Sequence, residues 1–561
     1  MTISSSRRTF LSGSAAVAGA GLAAGCSFDK GTGGGSGASD GGAGGSAQIN
    51  VNSFGPRPTF IENFNPFSPT DGVVGSNFFY DPLAYADVNN EYEITPWLAE
   101  SIEFDPEARR ATVTLRDDIT WSDGEKITTE DLVYTVMELP KQAEEQKANV
   151  TTYEFEAEAV DERVAEITWA EDKADINGDR AVAVLTMYPK HVFSKEDLAT
   201  FTNADPVTSS PLTVASFSPQ RVSLKVRDDH FMGTWDHIGT VNWVPYGSPE
   251  IGKSMILQGT MDMATLSLQN AEETIVAKGN HYWTVELVGS ESLIFNTAKA
   301  PFDDKHARNA IYAALDTDQI HTLYDIGLKS TSPTTMDEKV FGDAVVEEYR
   351  APHTADVSAA KKHLEKGGWT VEGGKLVKDG TSYPVSFKTV ADYVNWSTWS
   401  DGVKAQLKDE LGLDVSILKV PDAQIWDQFA NGEFEIGMSW VGGGPHLSAV
   451  YSDFHSKYVV PVGEASEGNY GRIDNPELDE LLDAAKAEYD EAKLLELNQQ
   501  MQKIVVDECY CGPFNPSASF LEASGKNFEG FPQMPLAKGD IIPRPYGPEG
   551  WQTMAKLVPL N

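Results

Sequence analysis

From Gln48 onward, segments of period two alternate with segments of helical period, and this confines the chain to mixed α/β domains built around sheets. Residues 111–116 place apolar side chains at every second position and read as a strand. Residues 129–137 open on a threonine followed by carboxylates and read as a helix start. Amphipathic helices are predicted over residues 302–315, 359–366, 407–411 and 476–488, the last with Asn475 as N-cap and Pro476 at the first helical position. Residues 413–417 and 435–440 follow the third of these helices and read as strands.

The first 47 residues stand outside that pattern. Ser6-Arg7-Arg8-Thr9-Phe10-Leu11 is a twin-arginine export signal, and Leu22-Ala23-Ala24-Gly25-Cys26 matches a bacterial lipoprotein cleavage site. The apolar stretch between them is short and rich in Gly and Ala, well below the ~20 apolar residues of a spanning helix. Residues 1–25 therefore read as a signal peptide and Cys26 as the lipid attachment residue. Residues 26–47 are almost entirely Gly, Ser, Ala, Asp and Thr, a flexible tether with a root-mean-square reach of roughly 25 Å. The expected location is the outer face of the cytoplasmic membrane, with the lipid as the sole attachment.

The remaining residues, about 510 with 41% apolar content in the chain, suffice for two or three packed domains. Removal of residues 1–25 takes the formal charge from −40 to −42, which repels nucleic acid and anionic membrane alike. Cys509 and Cys511 are read as small buried core residues, with an oxidised pair and a metal or redox role as alternatives. The histidines lack the i, i+4 spacing of a zinc site, and neither metal nor cofactor is expected. Gly247-Ser248-Pro249-Glu250-Ile251-Gly252-Lys253-Ser254 satisfies the P-loop formula only formally. Glu250 would set a carboxylate among amides meant for phosphate and Pro249 removes a donor, so the segment reads as a strand-to-helix turn.

The order of several segments carries a resemblance. Pro96-Trp97-Leu98-Ala99-Glu100-Ser101, residues 115–124 and 128–133, Tyr188-Pro189-Lys190-His191 and Gly259-Thr260-Met261-Asp262 fall in register with Phe295-Asn296-Thr297, Pro301-Phe302-Asp303-Asp304, residues 310–318 and Asn475-Pro476-Glu477-Leu478-Asp479. Together they resemble the oligopeptide-type extracellular solute-binding proteins, family 5, over about residues 50–520. Residues 207–212 depart from the family's usual Gly-Thr-Gly-Pro-Tyr type of turn, and the segment after Trp440 is unusual.

The resemblance implies a two-lobed periplasmic-binding-protein fold of class II with a domain inserted in the first lobe. Lobe I would combine residues 48–85, 185–292 and 514–561, the insert would span 86–184, and lobe II 293–513. Chain crossings would fall at 290–293 and 512–515. It also implies a monomeric binding protein, not an enzyme, that closes about a hinge over its ligand and delivers it to the permease of an ABC importer.

Cargo is the open question. Peptide-binding members hold the peptide amine with an aspartate shortly after the position of Trp440, whereas here Val441-Gly442-Gly443-Gly444-Pro445 follows and contains no acid. The glycines bare backbone polar groups to a close ligand. This run, Asn395-Trp396-Ser397-Thr398-Trp399, and residues 461–464 leading to Asn469-Tyr470-Gly471-Arg472 resemble oligosaccharide-binding members. Candidate ligand-binding residues are therefore Trp440, Gly442, Gly443, Gly444, Trp396, Trp399, Asn469 and Arg472, with an oligosaccharide favoured over an oligopeptide. The tryptophans have a core reading as well. Two other classes remain: a surface sensor or adhesion module on the same fold, and an exported hydrolase using paired carboxylates.

Replacement Cys26→Ala is expected to release the protein from the membrane fraction, because the tether offers no other attachment. Fractionation in high salt checks this, and a mutant that stays with the membrane contradicts the lipid anchor.

Overall fold

The computed structural model describes residues 45–69, 76–105, 107–170, 178–442, 444 and 446–560. The predicted signal peptide, Cys26 and nearly all of the tether lie outside the described residues, as does Gly443.

A ten-stranded mixed sheet forms the spine of the molecule. At one end, Val385–Val390 pairs in parallel with Val415–Val420 and with Ile436–Val441. Helix Val394–Leu411 makes the first of these crossovers, and helix Asp422–Ala430 leads from Val415–Val420 to Ile436–Val441. At the other end, Ala47–Asn52 lies between Ile238–Trp243 and Met263–Ala264, parallel to both. Two long strands join the ends: His281–Phe295 and Cys511–Ala523 run antiparallel from Ala523 opposite His281 to Cys511 opposite Ile294.

These two crossing strands pass from one apolar core into another. Trp283, Val285, Leu521 and Ala523 belong to a cluster that also holds Ile49, Val51, Trp243 and Trp551. Leu293, Ile294, Phe295 and Phe514 belong to a second cluster with Phe387, Trp396, Met438 and Val505. A separate four-stranded sheet, ordered Ala99–Asp105, Arg110–Leu115, Val164–Trp169 and Phe155–Ala159, packs onto the first core.

Local chemistry explains the helix ends. Thr128 and Asp131 form a reciprocal capping box at helix Thr129–Val133, which then runs into a π-helical turn at Tyr134–Glu138. Ser248 caps helix Pro249–Gln258, so only Gly247 and Ser248 of the P-loop-like octapeptide form the strand-to-helix turn and residues 249–254 are already helical. Asn475 accepts from the amides of Glu477 and Leu478 at the start of helix Pro476–Lys486. Residues 302–304, expected to be helical, instead lead into Asp304, whose carboxylate caps helix Lys305–Ala313. The helix expected over 407–411 is the last turn of the eighteen-residue helix Val394–Leu411, which sets Trp396 and Trp399 on helical faces. Its buried stripe of Trp396, Trp399, Val403, Leu407 and Leu411 also takes in Asn395, Ser400 and Gly402, and this hid its first turns from periodicity. Cys509 and Cys511 are free, buried thiols, the former pushed up to about 12 by burial.

Where Ile436–Val441 leaves the first crossing strand, two glycines meet back to back. A Cβ on Gly442, at φ +134°, would fall 2.6 Å from Gly289 Cα, and one on Gly289, at φ +87°, 2.4 Å from the Val441 carbonyl oxygen. Gly289→Ala should therefore cost about 2 kcal/mol or more, from backbone strain and overlap together. Gly463→Ala, at φ +99° with open space around it, should cost only the strain, about 1 kcal/mol. Urea unfolding of the two variants checks the difference, and equal losses contradict the close approach as the reason for glycine at 289.

Candidate ligand-binding cleft

Register alone assembles the centre of the site. Glu291 on the first crossing strand stands opposite Trp440 on one neighbouring strand and opposite Asn515 on the other. Paired residues on adjacent strands project to the same face, so Trp440, Glu291 and Asn515 form a row across the sheet. The row lies in the interval where the chain passes between its cores, and the ladder there is irregular between Glu286 and Ser290 and between Glu291 and Ser292.

Trp440 is 48% exposed, the largest side chain of this row to reach solvent. Trp426, from helix Asp422–Ala430, stacks with it at 5.5 Å between centroids and 20° between planes. Trp396 lies 4.7 Å from Trp440, and Tyr393 lies 5.9 Å from it. Asp422 Oδ1 fixes two of these rings by accepting from Trp426 Nε1 at 2.9 Å and from the Tyr393 hydroxyl at 3.0 Å. The product is an aromatic platform with an open face beside the crossing strands.

The polar groups below the platform are buried. Asn515 Nδ2 donates to Glu291 Oε2 at 3.2 Å, and the nearby Trp396 and Trp440 side chains favour its charged form. Burial nevertheless dominates and raises Glu291 to about 7. Behind Asn515 sits His321, packed edge-on against Trp399 at 4.9 Å. Burial pulls its imidazole down to about 4, against the opposing influence of Asp318 and Asn515.

Of the residues singled out from sequence, Trp440 and Trp396 come together in this cluster. Trp396 is buried beneath Trp440. Trp399, one helical turn further along, is fully buried, its Nε1 donating to the Tyr324 carbonyl oxygen at 3.2 Å. Gly442 meets Gly289, and Gly444 is half-buried beside Ala449. Asn469 donates to the carbonyl oxygens of Phe454, His455 and Ile473, so its amide holds its own loop. Arg472, also buried, donates to the carbonyl oxygens of Ala430 and Glu464, tying that loop to the end of the Trp426 helix. Glu291, Asn515, Tyr393, Asp422 and Trp426 were not anticipated. A legible signal existed for Glu291: a lone carboxylate in the apolar strand run Ser290-Glu291-Ser292-Leu293-Ile294-Phe295 is costly unless paired.

Comparison with known proteins agrees with this architecture. The model of the bacterial extracellular solute-binding proteins, family 5 (middle), matches residues 93–459. The oligopeptide-binding protein AppA of Bacillus subtilis is 24% identical over 519 residues, covering 87% of this chain and 89% of that protein. The nickel-binding periplasmic protein of Escherichia coli is 20% identical over 493 residues, covering 86% and 91%. Among solved structures, a periplasmic oligopeptide-binding protein of an oligopeptide ABC transporter from Thermotoga maritima superposes with a TM-score of 0.78 at 20% identity, covering 91% of this chain and 99% of that one. The same protein with mannohexaose bound gives a TM-score of 0.74 at 20% identity, covering 91% and 98%. The fold is thus that of the periplasmic oligopeptide-binding proteins.

The buried groups set a pH dependence of stability. Glu291 and Glu549, both raised to about 7, and Asp262, raised to about 6, bind protons more tightly when folded. Their contribution is full below the unfolded carboxylate range and is lost as pH rises through 6 to 7. His321 has the opposite sign, its contribution being present above the ordinary histidine range and lost as pH falls toward 4. The thermal midpoint should accordingly fall between about pH 6.5 and pH 8, each carboxyl contributing at most about 1.4 kcal/mol per pH unit. Scanning calorimetry checks the slope, and a midpoint that rises across this interval contradicts it.

Proposed function

Because the chain belongs to the bacterial extracellular solute-binding proteins, family 5, we propose that it is the lipid-anchored binding component of an ABC importer and that its cargo is a short, neutral oligosaccharide. The observation that carries the cargo reading is the half-exposed Trp440 stacked on Trp426 at the crossing strands. A flat apolar ring with one open face suits the face of a pyranose, and neighbouring polar groups can meet its hydroxyls. Hinge closure about the crossing strands would bring the opposite lobe onto a cargo resting there, and binding favours closure by its differential affinity for that state. The lobes are taken as residues 48–85, 185–292 and 514–561 against 293–513, with 86–184 inserted, and Cys26 as the anchor. The permease would then receive the closed form, with the protein working as a monomer and returning its ligand chemically unchanged.

The mannohexaose complex of the Thermotoga maritima protein supports this reading, since a protein named for oligopeptides there holds a hexasaccharide in the same fold. A peptide cargo is the second reading, favoured by the oligopeptide-binding name of the Bacillus subtilis relative. It requires a carboxylate for the peptide amine, and the described residues that follow Trp440 directly, Val441, Gly442 and Gly444, supply none.

Thermal-shift and calorimetric titration with manno-, cello- and xylo-oligosaccharides, with di- to pentapeptides and with nickel separates the readings. A sugar at 100-fold excess over its dissociation constant should add ~2.7 kcal/mol of stability. Trp440→Ala should weaken that sugar by about 2 kcal/mol or more. Tight binding of a peptide that is lost on N-terminal acetylation would refute the sugar preference, and appearance of a turnover product would refute the binding role.

A further inference from the structure

The histidines of the chain lack the spacing that places two on one helical face, but the packing of two helices brings a pair together. His306 lies in the first turn of helix Lys305–Ala313 and His363 in helix Val357–Gly367. Although 57 positions apart, they meet with their Nδ1 atoms 3.2 Å from each other. The ring centroids are 5.4 Å apart and the planes cross at 47°, so the imidazoles meet nitrogen to nitrogen and not face to face.

We propose that His306 and His363 form a binding site for a divalent transition-metal ion that favours imidazole, of the class of zinc, nickel and copper, with water completing its coordination. The pair stands apart from the cleft, since neither helix carries a residue of the row through Trp440, Glu291 and Asn515. Its distance fits an ion. Metal–nitrogen bonds of ~2.0–2.1 Å set two imidazole nitrogens roughly 2.9 Å apart at a right angle and about 3.3 Å apart at the tetrahedral angle. The observed 3.2 Å falls inside that interval.

Protonation points the same way. In a direct contact one ring must carry its proton on Nδ1 while the other leaves Nδ1 bare, because two bare nitrogens repel. An ion removes that requirement: both rings keep the proton on Nε2 and, after a small rotation, turn both Nδ1 lone pairs to the metal. The backbone beneath them is rigid. Ala307, Ala310 and Ile311 of one helix and Ala360 and Leu364 of the other are buried in the second core. Gly367 lets the end of the second helix come so close that a Cβ there would fall 2.8 Å from His306 Cβ. Asp304 Oδ1 accepts from the His306 amide at 2.9 Å and fixes the start of the first helix. Ligands carried on packed helices hold their spacing.

Both imidazoles are half-buried, so an ion can reach them from water. The charged neighbours of His363 include Lys366 on its own helix and Lys305 and Asp507 on the helices packed against it. Lys305 is already neutralised, its Nζ lying 2.7 Å from Asp507 Oδ2 and 2.8 Å from Glu508 Oε1. Lys366 is left to oppose a cation, against a formal charge of −40 over the chain. An ion held by the pair joins the two helices and stabilises the folded state by mass action.

The test is calorimetric titration of the full chain, purified without a polyhistidine tag and stripped with chelator, with zinc chloride and nickel chloride. His363→Gln keeps a polar partner for His306 but supplies no imidazole. It should weaken the ion by about tenfold or more, since even loss of an outer partner of a metal ligand costs about 10–100-fold. His306→Gln should do the same. The thermal midpoint should rise with added ion in the unsubstituted protein and stay fixed in either variant. With copper, electron paramagnetic resonance should count two nitrogen donors in the unsubstituted protein and at most one in each variant. Absence of zinc and nickel binding by the unsubstituted protein at millimolar ion would overturn the assignment, and this outcome is readable even if a variant fails to fold. Binding left unchanged in His363→Gln would overturn it as well, because the ion would then be held elsewhere. Nickel binding that is lost in His363→Gln belongs to this pair and not to cargo, and leaves both readings of the cleft untouched.

Discussion

The antiparallel pairing of His281–Phe295 with Cys511–Ala523 is the interaction on which the rest depends. Among the described residues it is the only ladder that runs through both large cores, with Trp283 and Leu521 anchored in one and Leu293 and Phe514 in the other. Each end is held by buried apolar side chains worth roughly 1.5–3 kcal/mol apiece. The middle lacks such anchors and carries register shifts around Ser290 and Glu291. A ladder rigid at both ends and irregular between them is free to bend where hydrogen bonds are already interrupted, without loss of either core.

That same interval holds an unusual concentration of buried polar groups. Glu291, Asn515, Ser290 and Ser292 are all buried, and the two serine hydroxyls lie 2.7 Å apart. An apolar substitute would pack at lower cost, since a buried charge forfeits several kcal/mol of hydration. Violations of this kind collect where function constrains the sequence more tightly than stability does. Gly289 and Gly442 fit the same pattern: neither contributes side-chain burial, and both permit the strand of Trp440 to peel away immediately past the platform.

The sequence was legible where one residue or one period carries the structural decision. Asn475 with Pro476, and Thr128 with Asp131, satisfy backbone amides locally, so these two helix starts were correctly placed, whereas the helix capped by Ser248 begins within the octapeptide read as a turn. The strands expected over 413–417 and 435–440 form as Val415–Val420 and Ile436–Val441, whereas Val385–Val390, which pairs in parallel with both, was not anticipated. The beginning of helix Val394–Leu411 was not legible, because its buried stripe through Trp396, Trp399, Val403, Leu407 and Leu411 also takes in Asn395, Ser400 and Gly402, while Val394 is exposed. Trp399 illustrates the limit: it shares a buried face with Trp396, but one helical turn further along its ring packs against His321 whereas that of Trp396 packs against Trp440. Asn469 and Arg472 read as polar ligand contacts and prove to hold loop backbone, a role fixed by which carbonyls the fold leaves unpaired. Glu291 was missed because its meaning lies in residues 149 and 224 positions away, which only strand pairing brings alongside.

Relatives at about 20% identity share this fold while their names record nickel, oligopeptides and a bound mannohexaose. The divergence follows from how the structure is divided. Strand pairing and the two cores occupy most of the chain and tolerate any apolar residue of suitable volume, so the fold survives wide substitution. The cleft face of the crossing strands is set by far fewer side chains, and none of them is needed to close either core. Trp440 is half exposed, and its partner Trp426 is held by the single carboxylate of Asp422. A change at such a position alters what the cleft can hold at little cost in folding, whereas a change at Gly289 or Leu293 alters the frame itself. On the reading proposed above, cargo would be met by the row through Trp440, Glu291 and Asn515, and the family resemblance speaks only to the frame that presents it.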